Sequence, residues 1–172
     1  MNSNDRAWLT LEQWKKVVEV QQHFNDLELR IRNFALIITG AFLAFGGGTA
    51  STGVISQSAF GISVTGIIVW AALLPLFAFY FMDRFWYHRL LHGSVMAGIE
   101  LERRMAECEI PSPLGKSIKD ASPFKILGRE VHSDHKIDIF YAILALSIMI
   151  TGLIIVLSFD PPGTLRYELW EA

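Results

Sequence analysis

The sequence predicts an all-α integral membrane protein with three transmembrane helices and cytoplasmic amphipathic helical extensions. Hydrophobic residues make up 52% of the 172-residue chain, against 19% charged residues. Two long segments, 33–82 and 139–159, contain no Asp, Glu, Lys or Arg. Because a spanning helix needs about 20 apolar residues, the longer segment accommodates two spans and the shorter one a third.

We place the spans at 33–55, 62–82 and 138–159. The segment 51–61 is rich in Ser, Gly and Thr, and it is the only polar stretch between the first two spans. We therefore expect a tight loop there, which makes 33–82 a transmembrane hairpin.

The basic residues predict the orientation. Five Lys or Arg precede the first span, none lies in 51–61, nine lie between Arg84 and Lys136, and one, Arg166, follows the third span. By the positive-inside rule, the N-terminus and the middle segment 83–137 are cytoplasmic and the tail 160–172 is external. The expected location is a plasma membrane.

Residues 1–32 form the first cytoplasmic extension. Thr10 and Gln13 have the spacing of a capping box, so we expect an amphipathic helix to begin there and to continue into the first span. Its apolar stripe includes Trp14, Val18 and Phe24, which we treat as a candidate surface for a soluble cytoplasmic partner, for another helix of the chain or for a neighbouring copy.

The second cytoplasmic extension follows the second span. Asp83 to Glu109 contains no proline, so a helix is expected to run from the span to about Arg104. Residues 110–136 contain Pro111, Pro113 and Pro123, which predict an irregular connector with one short helix.

Composition and motifs argue against several classes of protein. A net charge of −2 does not favour a nucleic-acid partner, and the single cysteine, Cys108, cannot form an intramolecular disulfide. The sequence contains neither an activated nucleophile nor a phosphate-binding loop, and the uncharged segments 33–82 and 139–159 offer no charged side chain that could couple ions. We expect neither an enzyme nor a bound cofactor.

Four histidines are the candidate ligands for a metal. His88 and His92 are four residues apart on a predicted helix, and His132 and His135 are three residues apart. Such spacing suits zinc or another transition metal, but histidines at a membrane surface more commonly bond headgroups, backbone or water.

The first two spans contain helix-weakening residues. Gly46, Gly47 and Gly48 lower the helix propensity of the first span, and Gly40, Ala44 and Gly48 share a small-residue face that allows close helix packing. That face serves either an intramolecular contact or a homo-oligomer, and a flexible, pore-lining hinge at the glycines is a third alternative. In the second span, Pro75 is a candidate hinge, because it leaves a backbone carbonyl near residue 71 without its helical partner.

The layout resembles small bacterial membrane effectors of anti-phage systems, including the SLATT-type group. The segments that carry the resemblance are QQHFNDLELRIRNFAL, residues 21–36, and DRFWYHRLLHGSVMAGIELE, residues 83–102. The resemblance implies a protein that oligomerises in the inner membrane and perturbs it, as a pore or channel, without catalysis. The third span departs from the two-span pattern of that group.

Two other functions fit the same residues. The chain could be a non-catalytic membrane anchor that recruits a soluble partner through the stripe on the first helix. A membrane subunit that binds a metal or a haem is the third alternative.

Overall fold

A computed structural model describes residues 3–52, 58–59, 62–110, 112–122, 124–126, 129–131 and 133–158. The described part of the chain is all-α, with two very short strand pairs as the exception. Three continuous helical segments of it are long and apolar enough to cross a membrane: Asn4–Thr49, Val64–Glu107 and His135–Leu157. The predicted tail, 160–172, and most of the predicted loop, 51–61, lie outside the described residues.

The helices follow in chain order as α1 (Ser3–Thr52), α2 (Val64–Ala71), α3 (Leu73–Phe81), a π-helix (Met82–Tyr87), α4 (His88–Glu107), α5 (Leu114–Ala121) and α6 (Ser133–Leu157). The strands are β1 (Ser58–Ala59), paired antiparallel with β2 (Ile62–Ser63), and β3 (Phe124–Ile126), paired antiparallel with β4 (Arg129–Val131).

Helix α1 runs without a break from the predicted cytoplasmic extension into the predicted first span, as the absence of proline indicates. The expected start at Thr10 is wrong, because the helix begins at Ser3 and has Asp5 in its first turn. Thr10 Oγ1 donates to the carbonyl of Arg6 at 2.9 Å, which is a bond of the helix interior and not of a cap.

The long helix expected after the loop is present but interrupted twice. Its first interruption is a turn at Ala72, three residues before Pro75, whose ring prevents regular hydrogen bonding in the preceding turn. The second is the π-helix, which separates α3 from α4. In the connector, α5 is the expected short helix, whereas the β3–β4 pair was not expected.

The chain divides into two compact units. Unit 1 comprises Met1–Phe34 and Ala78–Tyr141, and unit 2 comprises Ala35–Phe77 and Ala142–Ala172. Met105 and Ile137 are among the buried apolar side chains of unit 1, and Val69 and Ile148 are fully buried in unit 2.

Candidate functional site

A polar cluster of Glu28, Arg32, Asp83 and His88 lies inside unit 1. Arg32 of α1 meets Asp83 of the π-helix in a two-point ion pair: Nε donates to Oδ2 at 2.7 Å and Nη2 to Oδ1 at 3.1 Å. Paired guanidinium and carboxylate groups in this geometry form charge-assisted bonds of the stronger kind. The pair therefore fixes the π-helix against α1.

Glu28 completes the polar cluster on the other side of the guanidinium. Arg32 Nη2 donates to Glu28 Oε2 at 2.8 Å, and Glu28 Oε1 lies 3.3 Å from His88 Nδ1. A carboxylate beside Nδ1 favours the tautomer that carries a proton there. Asp83 and Glu28 are thus both paired with Arg32, and Glu28 also contacts the imidazole of His88.

Asp83 is the most deeply placed member of the polar cluster, with none of its surface exposed. Burial raises the pKa of its carboxyl group, while the hydrogen bond and charge of Arg32 act in the opposite direction. The buried hydroxyl of Tyr141 interacts with the same carboxyl group and also favours its ionised form. Arg32 is consequently the main group that stabilises the ionised form of Asp83.

Two further contacts join α1 to α4. The Trp14 indole N–H donates to Glu102 Oε1 at 3.3 Å, and Gln21 Nε2 donates to the carbonyl of Ser94 at 3.0 Å. The later residue of α1, Gln21, contacts the earlier residue of α4, Ser94, so the two helices pack antiparallel. Gly98 allows this approach, because a Cβ added there would lie 2.6 Å from Gln21 Nε2.

The structure places part of the predicted partner-binding stripe in this helix pair. Trp14, Val18 and Phe24 are all half-buried. Trp14 bonds within the chain, and its acceptor Glu102 also accepts the backbone N–H of Gly115 at 2.8 Å, which holds the start of α5.

A cavity of about 330 Å³ opens beside the polar cluster within unit 1. Its volume falls in the range of about 300–1,000 Å³ that is typical of small-ligand pockets. One part of the lining is polar and the other is apolar. The lining residues are Asn25, Glu28, Arg32, His88, Leu91, Lys136, Ile137 and Phe140.

The four candidate metal ligands do not come together in the described part of the chain. His88 belongs to the polar cluster, His92 and His135 are exposed, and His132 lies outside the described residues. Among described residues, no three His, Cys, Asp or Glu side chains are grouped as a metal site requires. Glu100 of α4 is engaged elsewhere, because hydrogen bonds from Arg103 and Arg104 lower the pKa of its carboxyl group to about 2.

Unit 2 is packed through glycines that bring its helices into close contact. A Cβ on Gly46 of α1 would overlap Val69 of α2 and would lie 3.1 Å from Ile155 of α6. On α6, a Cβ on Gly152 would overlap the indole of Trp70, whose Nε1 donates to the carbonyl of Met149 at 3.4 Å. Gly46 is therefore a packing residue inside the chain.

The small-residue face of Gly40, Ala44 and Gly48 is arranged differently. All three residues are exposed, and a Cβ on either glycine would have nothing within 4 Å. Gly47 is likewise exposed, with the same open surroundings. The buried residues of this part of α1 include Ala35, Thr39 and Gly46, which at about 3.6 residues per turn lie on roughly the opposite side.

Two threonines of α1 in unit 2 differ in their hydrogen bonding. Thr49 Oγ1 donates to the carbonyl of Phe45 at 2.8 Å, the backbone bond that threonines in apolar helices commonly form. Thr39, for which the same bond was available, is buried and its hydroxyl makes no hydrogen bond within the described residues.

Comparison with models of known protein families, with curated proteins and with solved structures finds no match for this chain.

The polar cluster was not predicted from the sequence, although a signal for it was present. Arg32 is the last charged residue before the uncharged segment and Asp83 is the first one after it. Two consecutive spans joined by a short loop return the chain to the side that it left, so charges of opposite sign at the two ends are candidates for an ion pair.

Proposed function

We propose that this chain is an integral protein of the bacterial inner membrane that acts by assembling with copies of itself and thereby perturbs the bilayer. Less than a third of the residues in the apolar windows of its three long helices are buried within the chain. The rest of that apolar surface needs lipid or other protein as its surroundings. The proposed spans are those of the sequence analysis, with the N-terminus and residues 83–137 on the cytoplasmic side.

The observation that carries the proposal is the open small-residue face on α1. Intramolecular packing in unit 2 uses Gly46, whereas Gly40 and Ala44 are exposed on the other side of the helix. Small residues four apart are a common contact surface between membrane helices, because they let two backbones approach closely. A helix from a second copy is the partner that this face suits.

Support for membrane perturbation comes from the chemistry of the spans and from the resemblance to anti-phage effectors. The uncharged segments 33–82 and 139–159 offer no group for proton or ion coupling, so assembly is a better explanation of activity than transport or catalysis. In a defence system, such an effector would stay inactive until infection supplies a trigger.

Membrane potential is the quantity that tests this function. Expression of the chain in bacteria should dissipate the potential reported by a voltage-sensitive dye, and Gly40→Leu should suppress the effect. The matched control is Gly40→Ala, which keeps the face small and should remain active at the same level in the membrane fraction. Full potential both in resting cells and in phage-challenged cells, with the chain present in the membrane, would contradict the proposal.

The membrane anchor remains the second candidate function, and exposed apolar residues of unit 1 favour it. Trp8 of α1 and Ile118 of α5 are 61% and 59% exposed. An anchor would be harmless on expression and would copurify with a soluble protein. Recovery of that protein should depend on the stripe residues Trp14, Val18 and Phe24.

A further inference from the structure

The π-helix Met82–Tyr87 connects α3 to α4 without a break in the helical backbone. Its hydrogen bonds span one residue more than those of an α-helix, since the backbone N–H of His88 donates to the carbonyl of Asp83, five residues earlier. Such turns are rare in proteins and are found frequently at functional sites. Side-chain contacts within unit 1 are therefore needed to explain why the turn forms here.

Two consecutive residues of the π-helix form ion pairs with different helices. Asp83 is bound by Arg32 of α1 at 2.7 and 3.1 Å. Arg84 Nε lies 3.3 Å from Oδ1 of Asp138 in α6, and the same oxygen accepts the hydroxyl of Tyr80 at 3.0 Å. The two pairs have opposite polarity, so α1 holds the π-helix by its anion and α6 holds it by its cation.

The additional residue in the π-helical turn determines which face of α4 meets α1. Successive residues of an α-helix are rotated by about 100°, so a change of 82–87 to regular α-helix would turn α4 by about that angle. Gly98 now lies so close to α1 that an added Cβ would be 2.6 Å from Gln21 Nε2. After the turn, Ala97 or Ile99 would take its place, and either side chain would separate the two helices.

The stronger of the two ion pairs is accessible from one side. Asp83 has no exposed surface, whereas the Arg32 side chain is 26% exposed and lines the cavity of unit 1. Solvent in that cavity competes with the carboxylate for the guanidinium group. The pair can therefore open from its cationic side without unfolding of the helices.

We propose that the π-helix is a conformational latch held by the pairs Arg32–Asp83 and Arg84–Asp138. Loss of either pair lets 82–87 become α-helical and turns α4 out of its contact with α1. The turn breaks the bond from Trp14 to Glu102 and so releases a residue of the predicted partner-binding stripe. This device depends neither on self-assembly nor on perturbation of the membrane, so either of those proposals can fail without it.

Double electron–electron resonance on the full chain in neutral detergent tests the latch. In a Cys108→Ser background, spin labels are attached at Lys16→Cys of α1 and Glu107→Cys of α4, whose native side chains are 74% and 62% exposed. An excess of unlabelled chain removes distances between copies. Asp83→Ala should add a second distance that differs by roughly 10 Å, the diameter of a helix. The matched control, Asp26→Ala at an exposed residue of α1, should keep the single original distance.

Removal of one residue from the π-helix separates a latch from a purely structural ion pair. Trp86 is 60% exposed, and its deletion lets the shortened segment form a regular α-helix while α4 keeps its present orientation. Deletion of Trp86 in the Asp83→Ala chain should therefore restore the single original distance. A structural defect caused by Asp83→Ala would not be repaired by a further deletion.

Two results would overturn the latch. One is an unchanged single distance in Asp83→Ala, and the other is a second distance that persists after deletion of Trp86. If Asp83→Ala does not yield folded protein, Asp138→Ala carries the same comparison, because Asp138 is 44% exposed and its loss leaves the buried pair in place. Membrane potential and particle size are measured separately, so failure of the proposed function is distinguished from failure of the latch.

Discussion

Arg32 and Asp83, the two charged residues that bound the 50-residue uncharged segment, meet in a two-point ion pair with N–O distances of 2.7 and 3.1 Å. Asp83 is completely buried and Arg32 also holds Glu28. The Arg32 guanidinium is paired with two buried carboxylates. Replacement of Arg32 and replacement of one carboxylate should therefore lower the stability of the fold by different amounts.

Replacement of Arg32 should therefore destabilise the protein more than replacement of Asp83. Arg32→Met leaves Glu28 and Asp83 buried without their shared cation, a situation that costs about 3–5 kcal/mol. Asp83→Asn leaves Arg32 paired with Glu28 and should cost less. The measurement is the melting temperature of each purified variant in the same detergent.

The control for this comparison is an ion pair with exposed partners. Lys16 Nζ lies 2.8 Å from Glu19 Oε2 on the surface of α1. Lys16→Met should change the stability by no more than about 0.5 kcal/mol. If Arg32→Met melts like Lys16→Met, the polar cluster does not hold unit 1 together.

Glycine substitutions should have opposite effects at two positions. Gly152→Ala places a Cβ where the indole of Trp70 lies, so overpacking should destabilise unit 2 by about 1–3 kcal/mol. Gly93 of α4 has nothing within 4 Å of an added Cβ. Gly93→Ala should stabilise the chain by up to about 1 kcal/mol, because alanine has the higher helix propensity. Thermal melting compares the two variants, and loss of stability in both would contradict the packing described here.

The helices could be predicted from the sequence because their signals are local. Long uncharged segments and the absence of proline indicated the continuous helix α1, and Pro75 marked the region where helical bonding is interrupted at Ala72. The start at Thr10 was wrong because a capping motif is only one local preference, and a helix continues through it when the preceding residues are also helical.

The polar cluster and the cavity could not be derived in this way. Both depend on which side chains of distant segments meet. Arg32 and Asp83 are 51 residues apart, and Lys136 of α6 lines the cavity together with Arg32. Periodicity shows which face of a helix is apolar but does not identify its partner. The same limit left the packing role of Gly46 and the open face of Gly40 and Ala44 undecided until the contacts were known.

Self-assembly should depend on side-chain size at the open face of α1. Gly40→Leu fills a surface that has nothing within 4 Å in one copy, so the fold should be retained while assembly is lost. Size-exclusion chromatography with light scattering in detergent should show a smaller particle for Gly40→Leu than for Gly40→Ala. An unchanged particle in both variants would show that this face contacts lipid.

The purified chain should carry no stoichiometric transition metal. Within the described residues, no three potential ligands are grouped, and His88 lies against Glu28 in the polar cluster. Elemental analysis of the full chain measures this directly. Bound metal that disappears in the double variant His88→Ala and His92→Ala would instead favour the metal-binding alternative.

Topology is the prediction on which the location of every other feature depends. The proposed cytoplasmic side carries 14 of the 15 Lys and Arg residues, and a bias of this size sets the orientation of short loops. Alkaline phosphatase fused after Ala172 should be active, because it folds only after export, whereas its fusion within residues 112–122 should be inactive. Green fluorescent protein should give the complementary result at the same two sites, which controls for fusions that fail to fold. An active phosphatase within 112–122 would place the polar cluster and its cavity on the external side and would contradict the three-span orientation.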